Sequence, residues 1–290
     1  MLARHLYRCY PRATLTIITA YYRIVKGVKV RENDHNRAPL LTEERRERIL
    51  GALRREGKVT AADLSRALGV SDDTIRRDLD ALAEAGLLRR VYGGALRRAP
   101  TNEDYAARQA EGAAAKEAVA RATAALIRSG QVVILDGGTT TLAVARHLPR
   151  DLEATVVTTS PPVAVALADH PGVEVITIGG RLYRYAMVNV GASTVEALRA
   201  IRADVCVLGV LALHPEVGLS VLDHEEASAK RAMMDVSANV VAPALVSKLG
   251  TVAPFVVGPA SALTHLVTEA EAPNELLDPY RTLGLTIVKG

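Results

Sequence analysis

From residue 113 onward, short apolar runs alternate with helical segments, and this pattern constrains the fold more than any other feature of the chain. Val132–Leu135 is one run, and others begin near residues 155, 173, 205, 263 and 285. Helical segments lie between most of them, for example residues 141–148 and 223–236. Continuous apolar strands that alternate with helices indicate a mostly parallel sheet covered on both faces. We therefore predict an α/β domain over residues 113–290, with ligands bound at the carboxyl ends of its strands.

Residues 41–97 carry a different pattern, in which three short amphipathic helices precede a hairpin. Ser71 is suited to cap the third helix, because its hydroxyl can accept a hydrogen bond from a free backbone amide. The apolar positions of that helix lie on one side and are Ile75, Leu79 and Leu82. Residues 87–96 follow as a strand, a glycine turn and a return strand. This layout is that of a winged helix-turn-helix, whose third helix enters the major groove of DNA.

Charge is distributed unevenly along the chain. Residues 1–100 hold 21 Lys and Arg against 12 Asp and Glu, a net charge of +9, whereas residues 101–290 hold 15 against 20, a net charge of −5. A basic front on an acidic body suggests that the front meets a polyanion, although chance clustering is the alternative. Aromatic residues make up 3% of the chain, which disfavours recognition by base stacking. Two cysteines are too few for a disulfide framework or a cysteine-based zinc site, and we expect neither a metal nor a cofactor.

Residues 1–40 match nothing that follows them. Their best apolar stretch, residues 13–22, is shorter than the roughly 20 residues of a membrane span. A signal peptide is conceivable, but we favour a leader that is disordered or lies upstream of the true start. We expect four regions in a cytoplasmic protein without a membrane partner. These are the leader over 1–40, a DNA-binding domain over 41–97, a linker over 98–112 and the α/β domain over 113–290.

The string Thr74-Ile75-Arg76-Arg77-Asp78-Leu79, followed downstream by Gly93-Gly94-Ala95, closely resembles the DeoR family of bacterial transcription regulators. The resemblance covers about residues 42–290. It implies a winged helix-turn-helix joined to a sensor domain that is similar in fold to sugar-phosphate isomerases. It also implies sequence-specific binding to duplex DNA, most often as a repressor of carbohydrate genes, under the control of a phosphorylated sugar or a related metabolite.

Six polar residues of the first domain are candidates for contact with DNA. They are Ser71, Thr74, Arg76, Arg77, Arg89 and Arg90. Adjacent positions lie about 100° apart around a helix, so one of Arg76 and Arg77 can reach a guanine edge while the other binds a phosphate. The alternative is pairing with Asp72 and Asp73 within the helix, worth only about 0.2–0.5 kcal/mol. The alternatives for the other candidates are a purely capping Ser71 and a solvated basic hairpin.

The residues after the first strand of the second domain, Asp136-Gly137-Gly138-Thr139-Thr140, have the composition of an anion cradle. Glycines let backbone amides converge at a helix N-terminus, threonine hydroxyls add donors, and the carboxylate can accept from a sugar hydroxyl. The alternative is a well-capped turn. Two further strand ends, at residues 158–160 and 178–181, carry similar residues. The resemblance places the effector at the loop that begins with Asp136 and at two lysines. The effector-binding candidates are Asp136, Gly138, Thr139, Thr140, Lys230 and Lys248.

Several sensor positions depart from the pattern of the family. Gly137 stands where the family usually has Ser, and Leu211 and Leu245 stand where it usually has Asp. Fewer carboxylates mean fewer acceptors for hydroxyl groups. The departures therefore imply an atypical effector or degraded sensing.

Three functions are compatible with this sequence. The first is a ligand-controlled transcription regulator, the second a DNA-binding protein whose second domain only oligomerises, and the third an isomerase-like enzyme. Proton transfer on a sugar needs a positioned base, and Asp136 is the one carboxylate in the sequence of the predicted cradle. We therefore expect a regulator with no catalytic residues. We also expect a homo-oligomer, because repeated half-sites on DNA are read by paired helices.

Overall fold

The structure is a computed structural model that describes residues 40–99 and 105–290. Apart from Leu40, the leader expected over residues 1–40 lies outside these ranges, as do residues 100–104 of the expected linker. Within the described ranges, no helix is both long enough and apolar enough to cross a membrane.

The first domain contains three helices and a small antiparallel sheet. Its elements are α1 (Thr42–Glu56), β1 (Lys58–Thr60), α2 (Ala61–Leu68), α3 (Asp72–Glu84), β2 (Leu88–Val91) and β3 (Gly94–Arg98). Ser71 caps α3 as predicted and accepts the Thr74 amide at 3.3 Å, and Thr60 caps α2 in the same way and accepts the Asp63 amide at 3.1 Å. Strand β3 pairs antiparallel with β1 and β2. The predicted winged helix-turn-helix is confirmed.

Apolar side chains from all three helices meet in one core. Its Ile and Leu members from the helices are Ile49, Leu53, Leu64, Ile75, Leu79 and Leu82, and Leu88 of β2 joins them. The three positions predicted for the buried side of α3 are all in this core. The opposite side of α3 is consequently left to solvent.

The second domain is built around strands that alternate with helices, as predicted. Its helices are α4 (Tyr105–Ala110), α5 (Ala113–Ala124), α6 (Thr139–Arg146), α7 (Pro161–Leu167), α8 (Ala192–Arg199), α9 (His224–Asp235) and α10 (Asn274–Thr282). Its first strands are β4 (Val132–Leu135), β5 (Ala154–Thr158), β6 (Val173–Thr177), β7 (Arg181–Tyr183), β8 (Val188–Val190), β9 (Ala203–Val207), β10 (Ala212–His214) and β11 (Gly218–Val221). The remaining strands are β12 (Ser237–Pro243), β13 (Thr251–Val252), β14 (Phe255–Gly258), β15 (His265–Thr268) and β16 (Thr286–Lys289).

Seven of these strands form one parallel sheet in the order β16-β15-β12-β9-β4-β5-β6. The chain builds outward from β4 in one direction and from β9 in the other, so the strand order reverses between these two. In an open α/β sheet, ligands bind at such a switch point, outside the carboxyl ends of the strands. The fold therefore directs attention to the loops after Leu135 and Val207.

The sequence pattern missed β12, an inner strand of the large sheet. Its first half carries the polar residues Ser237 and Asn239 and is solvent-accessible, and only its second half is a continuous buried run. Pro243 ends the strand and further weakens the local signal. Because this strand is half polar, its own periodicity does not reveal it, and it is identified only by its pairing with β9 and β15.

A strand of the second domain extends the sheet of the first. Strand β13 pairs parallel with β3, placing Thr251 opposite Arg97 and Val252 opposite Arg98. The Ala99 amide continues this pairing to Val252 O at 3.1 Å. The wing strand is thus hydrogen-bonded both to its own hairpin and to the sensor domain.

Candidate functional site

The exposed side of α3 presents the residues that sequence analysis singled out for DNA. Arg76 and Arg77 are both exposed, and Arg77 pairs with Asp73 one turn earlier. The Ser71 and Thr74 hydroxyls lie 2.9 Å apart at the start of the helix. An exposed pair within one helix is weak, so Arg77 can exchange Asp73 for a phosphate at little cost.

Asp78 lies in the same string but faces inward. Its side chain is buried and accepts from Arg45 Nε at 2.5 Å and from Arg46 Nε at 3.1 Å. Both arginines belong to α1. Asp78 therefore fastens α3, the predicted recognition helix, to α1.

Arg89 and Arg90, the two wing arginines predicted to contact DNA, are both engaged within the protein. Arg89 donates to Ala253 O at 2.6 Å, and Arg90 donates to Asp80 at 2.7 Å and to Gly94 O at 2.6 Å. Phosphate contact by Arg89 or Arg90 thus stays a prediction, and it requires these bonds to be exchanged. Sequence analysis did not single out Tyr92, which is fully exposed at the tip of the wing. Its position next to the turn glycines could have indicated this exposure from the sequence.

A cavity of about 180 Å³ lies at the switch point of the large sheet. The loop Gly137–Thr141 after β4 and the loop Gly209–Leu211 after β9 form two of its sides. These loops touch closely: a Cβ on Gly209 would lie 2.4 Å from Gly137 O. The predicted cradle is therefore part of a cavity with a second strand end facing it.

Backbone geometry makes the cradle a donor surface. Gly138 has φ +109°, a conformation that L side chains rarely adopt, and it turns the chain into α6. The helical ladder begins with the Leu142 amide, which donates to Gly138 O at 3.0 Å. The amides of Thr139 and Thr140 precede that bond and have no partner within the helix. Together with the helix dipole, they favour an anion at this end.

Asp136 is buried under the cavity. Its carboxylate contacts Lys230 Nζ and accepts the Gly209 amide at 2.9 Å, while Lys230 Nζ donates to Gly209 O at 2.8 Å. Burial opposes the charge on Lys230, but Asp136 and Glu226 outweigh it and raise its pKa. Asp136 was predicted to meet a sugar hydroxyl. In the structure it holds Lys230 and the β9 loop in place.

Glu226 also lines the cavity and was missed by sequence analysis. It lies one helical turn before Lys230 on α9, with Oε1 3.7 Å from Lys230 Nζ. Burial raises the pKa of its carboxyl to about 7, against the opposing effect of Lys230. The sequence could have indicated Glu226, because it lies four positions before the predicted ligand Lys230 and thus on the same side of the helix.

Three further cations face the cavity: Arg108, Lys116 and Lys248. Lys116 is buried and donates to the carbonyl oxygens of Arg108 and of Glu111. Burial lowers the pKa of both lysines, and the Arg108 guanidinium lowers both further. Lys248 was a predicted contact. Arg108 was hidden in the predicted linker, and Lys116 is a lysine on the buried side of an alanine-rich helix.

Comparison with known proteins agrees with both domains. The model of the DeoR C terminal sensor domain matches residues 111–270, and that of the DeoR-like helix-turn-helix domain matches residues 45–101. The chain belongs to the DeoR family. It is accordingly a DNA-binding transcription regulator, of the kind that includes repressors, with an N-terminal DNA-binding domain and a C-terminal sensor domain.

Individual relatives match this DeoR-family chain over about four-fifths of its length. The HTH-type transcriptional repressor GlcR of Bacillus subtilis (strain 168) is 33% identical, with 80% of this chain and 90% of that protein covered. The glycerol-3-phosphate regulon repressor of Escherichia coli (strain K12) is 31% identical, with 79% and 92% covered. A solved ribose 5-phosphate isomerase from Methanocaldococcus jannaschii is 15% identical, with 45% of this chain and 50% of that chain covered and a TM-score of 0.33. A likeness at that level supports no inference about activity.

The positions that depart from the usual DeoR pattern lie at the cavity. A Cβ on Gly137 would lie 2.1 Å from Val188 Cγ1, so this loop has no room for a serine. Leu211 and Leu245 line the wall and, with Val210, make part of it apolar. The other two strand ends marked by sequence analysis, at residues 158–160 and 178–181, do not border this cavity within the described chain.

The raised pKa of Glu226 predicts a pH effect on stability. Below pH 4.5 the carboxyl is protonated in both the folded and the unfolded chain. Between about pH 4.5 and 7 the unfolded chain ionises while the folded chain keeps its proton, so the free energy of unfolding falls as pH rises. The loss amounts to about 3 kcal/mol at roughly 1.4 kcal/mol per unit. Glu226→Gln is expected to remove it, as measured by urea unfolding at pH 5 and pH 8.

The neighbouring Glu225→Gln is the matched control, because Glu225 is only half-buried and pairs with the exposed Arg181. It should keep the difference between the two pH values found in the unmodified chain. Identical behaviour of the two variants would contradict the assignment to Glu226.

Proposed function

We propose that this DeoR-family chain represses transcription from a specific operator. A phosphorylated sugar or a related metabolite binds in the cavity and weakens operator binding. The observation that carries the proposal is the cavity, in which the cradle at Gly138 and the cations Lys230 and Lys248 face one space at the switch point of the sheet. A site rich in backbone donors and positive charge selects an anionic ligand.

Effector control would act as a shift between two populations. The ligand favours an arrangement in which the recognition helices no longer match the operator, and by linkage the operator weakens ligand binding by the same factor. We propose Arg76 and Arg77, with Ser71 and Thr74, as the groups that contact DNA. The name of the E. coli relative ties that protein to a glycerol-3-phosphate regulon, which supports a small phosphorylated metabolite as the class of effector here.

The test begins with operators found by genomic footprinting. Operator affinity and thermal stability are then measured with triose, pentose and hexose phosphates and glycerol 3-phosphate, each beside its unphosphorylated form. One phosphorylated compound is expected to weaken operator binding at least tenfold and, at 100 times its Kd, to stabilise the protein by about 2.7 kcal/mol. Its unphosphorylated form should do neither. If no compound changes stability, the second domain serves assembly alone and the effector proposal is wrong.

Binding without catalysis is part of the same proposal. Glu226 is the group that favours the alternative, because a buried carboxylate with a pKa of about 7 is suited to act as a general base. We expect no conversion of the bound sugar phosphate when it is followed by proton NMR. Turnover that Glu226→Gln abolishes would instead establish an enzyme.

We also propose that the chain acts as a homo-oligomer, since operators with repeated half-sites are read by paired recognition helices. Sedimentation velocity is expected to show a dimer or a larger species at the concentrations that bind DNA. A monomer bound to a single half-site would contradict this.

A further inference from the structure

We propose that Arg108 and Lys248 together clamp the anionic group of the effector, joining α4, the first helix of the second domain, to the segment that leads into the wing-paired strand β13. This inference rests on the proposed function, because it adds residues to the same cavity. No effector contact was predicted for Arg108, which lies in α4.

The guanidinium of Arg108 is held in place by Tyr185 while its Nε donor stays buried and unpaired among the described residues. Its Cζ lies 3.7 Å from the centre of the Tyr185 ring, and it also donates to the backbone oxygen of Tyr185. Its Nε is buried and has no hydrogen-bond partner among the described residues. A buried donor without an acceptor is costly, and a fixed guanidinium is the side chain best shaped to grip a phosphate or a carboxylate.

The charges around Arg108 also call for an anion. Lys116 and Lys248 face the same cavity. Burial lowers the pKa of both lysines, the Arg108 guanidinium lowers both further, and Lys116 adds to the lowering at Lys248. Glu111 opposes this repulsion at the two lysines, and Glu226, which lines the same cavity, interacts with Arg108. Bringing an anion between Arg108 and Lys248 relieves like-charge repulsion in a partly desolvated space, where such terms are large.

The two clamp residues lie on chain segments that flank the wing. Helix α4 begins seven residues after Arg98, the last residue of the wing strand β3. Lys248 lies three residues before Thr251, which opens β13 and pairs with β3. Just beyond β13, Ala253 O accepts the hydrogen bond from Arg89. An anion held between Arg108 and Lys248 would therefore join the helix that follows the wing in the chain to the segment that leads into β13.

The test uses the full chain, with inorganic phosphate and the active sugar phosphate as titrants in calorimetry. Arg108→Ala is expected to weaken binding of both titrants at least tenfold, and Arg108→Lys is expected to recover part of it. Arg121→Ala removes the same charge from the exposed side of α5 and should bind both as the unmodified chain does. Melting curves identify any variant that fails to fold, and in that case Arg108→Lys carries the comparison.

Combination with Lys248→Met tests whether the two residues hold the same group. Residues that share one ligand show strong coupling, so the double variant should lose much less than the product of the two single losses. Fully independent losses would overturn the joint clamp, and unchanged binding by Arg108→Ala would overturn the role of Arg108 while leaving the proposed function intact. Failure of the unmodified chain to bind any phosphorylated compound would overturn both.

Discussion

Replacing Arg76 and Arg77 together with alanine is expected to weaken operator binding at least 100-fold. Both side chains are exposed on α3, about a quarter-turn apart, so they can reach a base edge and a phosphate at once. One bidentate arginine–guanine contact is worth about 1–3 kcal/mol, and a phosphate contact adds an electrostatic share. Each 1.4 kcal/mol is a tenfold change in affinity. Fluorescence anisotropy with a labelled operator duplex, at one fixed salt concentration, measures the loss.

The matched control replaces Arg121 and Arg128, which are exposed on the sensor domain, and so removes the same net charge. It should change operator affinity little. A second readout is the salt dependence, since loss of one phosphate contact lowers the slope of log affinity against log salt by about one. If the Arg76 and Arg77 variant binds the operator as tightly as the control does, α3 is not the recognition helix.

Asp78→Ala is expected to lower the free energy of unfolding of the DNA-binding domain by about 3–5 kcal/mol. Asp78 is 2% exposed and accepts from Arg45, itself 9% exposed, and from Arg46. Removing one partner of a buried ion pair leaves an uncompensated charge in a poorly solvated place. Urea unfolding followed by circular dichroism should show an early transition for this domain and a later one for the sensor domain.

Asp80→Ala provides the comparison two residues along the same helix. The Asp80 side chain is 58% exposed and pairs with Arg90 at the surface, so its removal should cost no more than about 1 kcal/mol. Equal effects of the two substitutions would show that the Asp78 pair contributes nothing beyond a surface contact. A stable Asp78→Ala domain would equally contradict the proposed fastening of α3 to α1.

Both predictions concern neighbouring residues of α3, and the helical period decides which of those side chains face the core and which face solvent. Ile75, Asp78 and Leu79 face the core, whereas Arg76 and Arg77 face solvent. The apolar positions were readable from sequence, because a period of 3.6 residues places them on one side. Neither the burial of Asp78 nor its partners on α1 was predicted, because both depend on contacts with another helix.

By itself, the sequence determined the local elements and the chemistry attached to them. Caps such as Ser71, the apolar side of α3, the hairpin glycines and the run from β4 into the cradle all depend on residues within a few positions of one another. They also imply the parallel sheet, since buried strands and helices that alternate have few other ways to pack. The residues of the cradle were therefore identified without any knowledge of contacts.

Only the tertiary structure decided which distant groups meet. Asp136 and Lys230 are 94 positions apart and form a buried pair under the cavity. Arg108 reaches the cavity from a segment predicted as a linker, and β13 joins the sheet of the other domain. Such contacts depend on how the strands order themselves and how loops close between them, and no local period encodes either. A charged side chain turned inward is indistinguishable from one turned outward until the partner that stabilises its burial is in place.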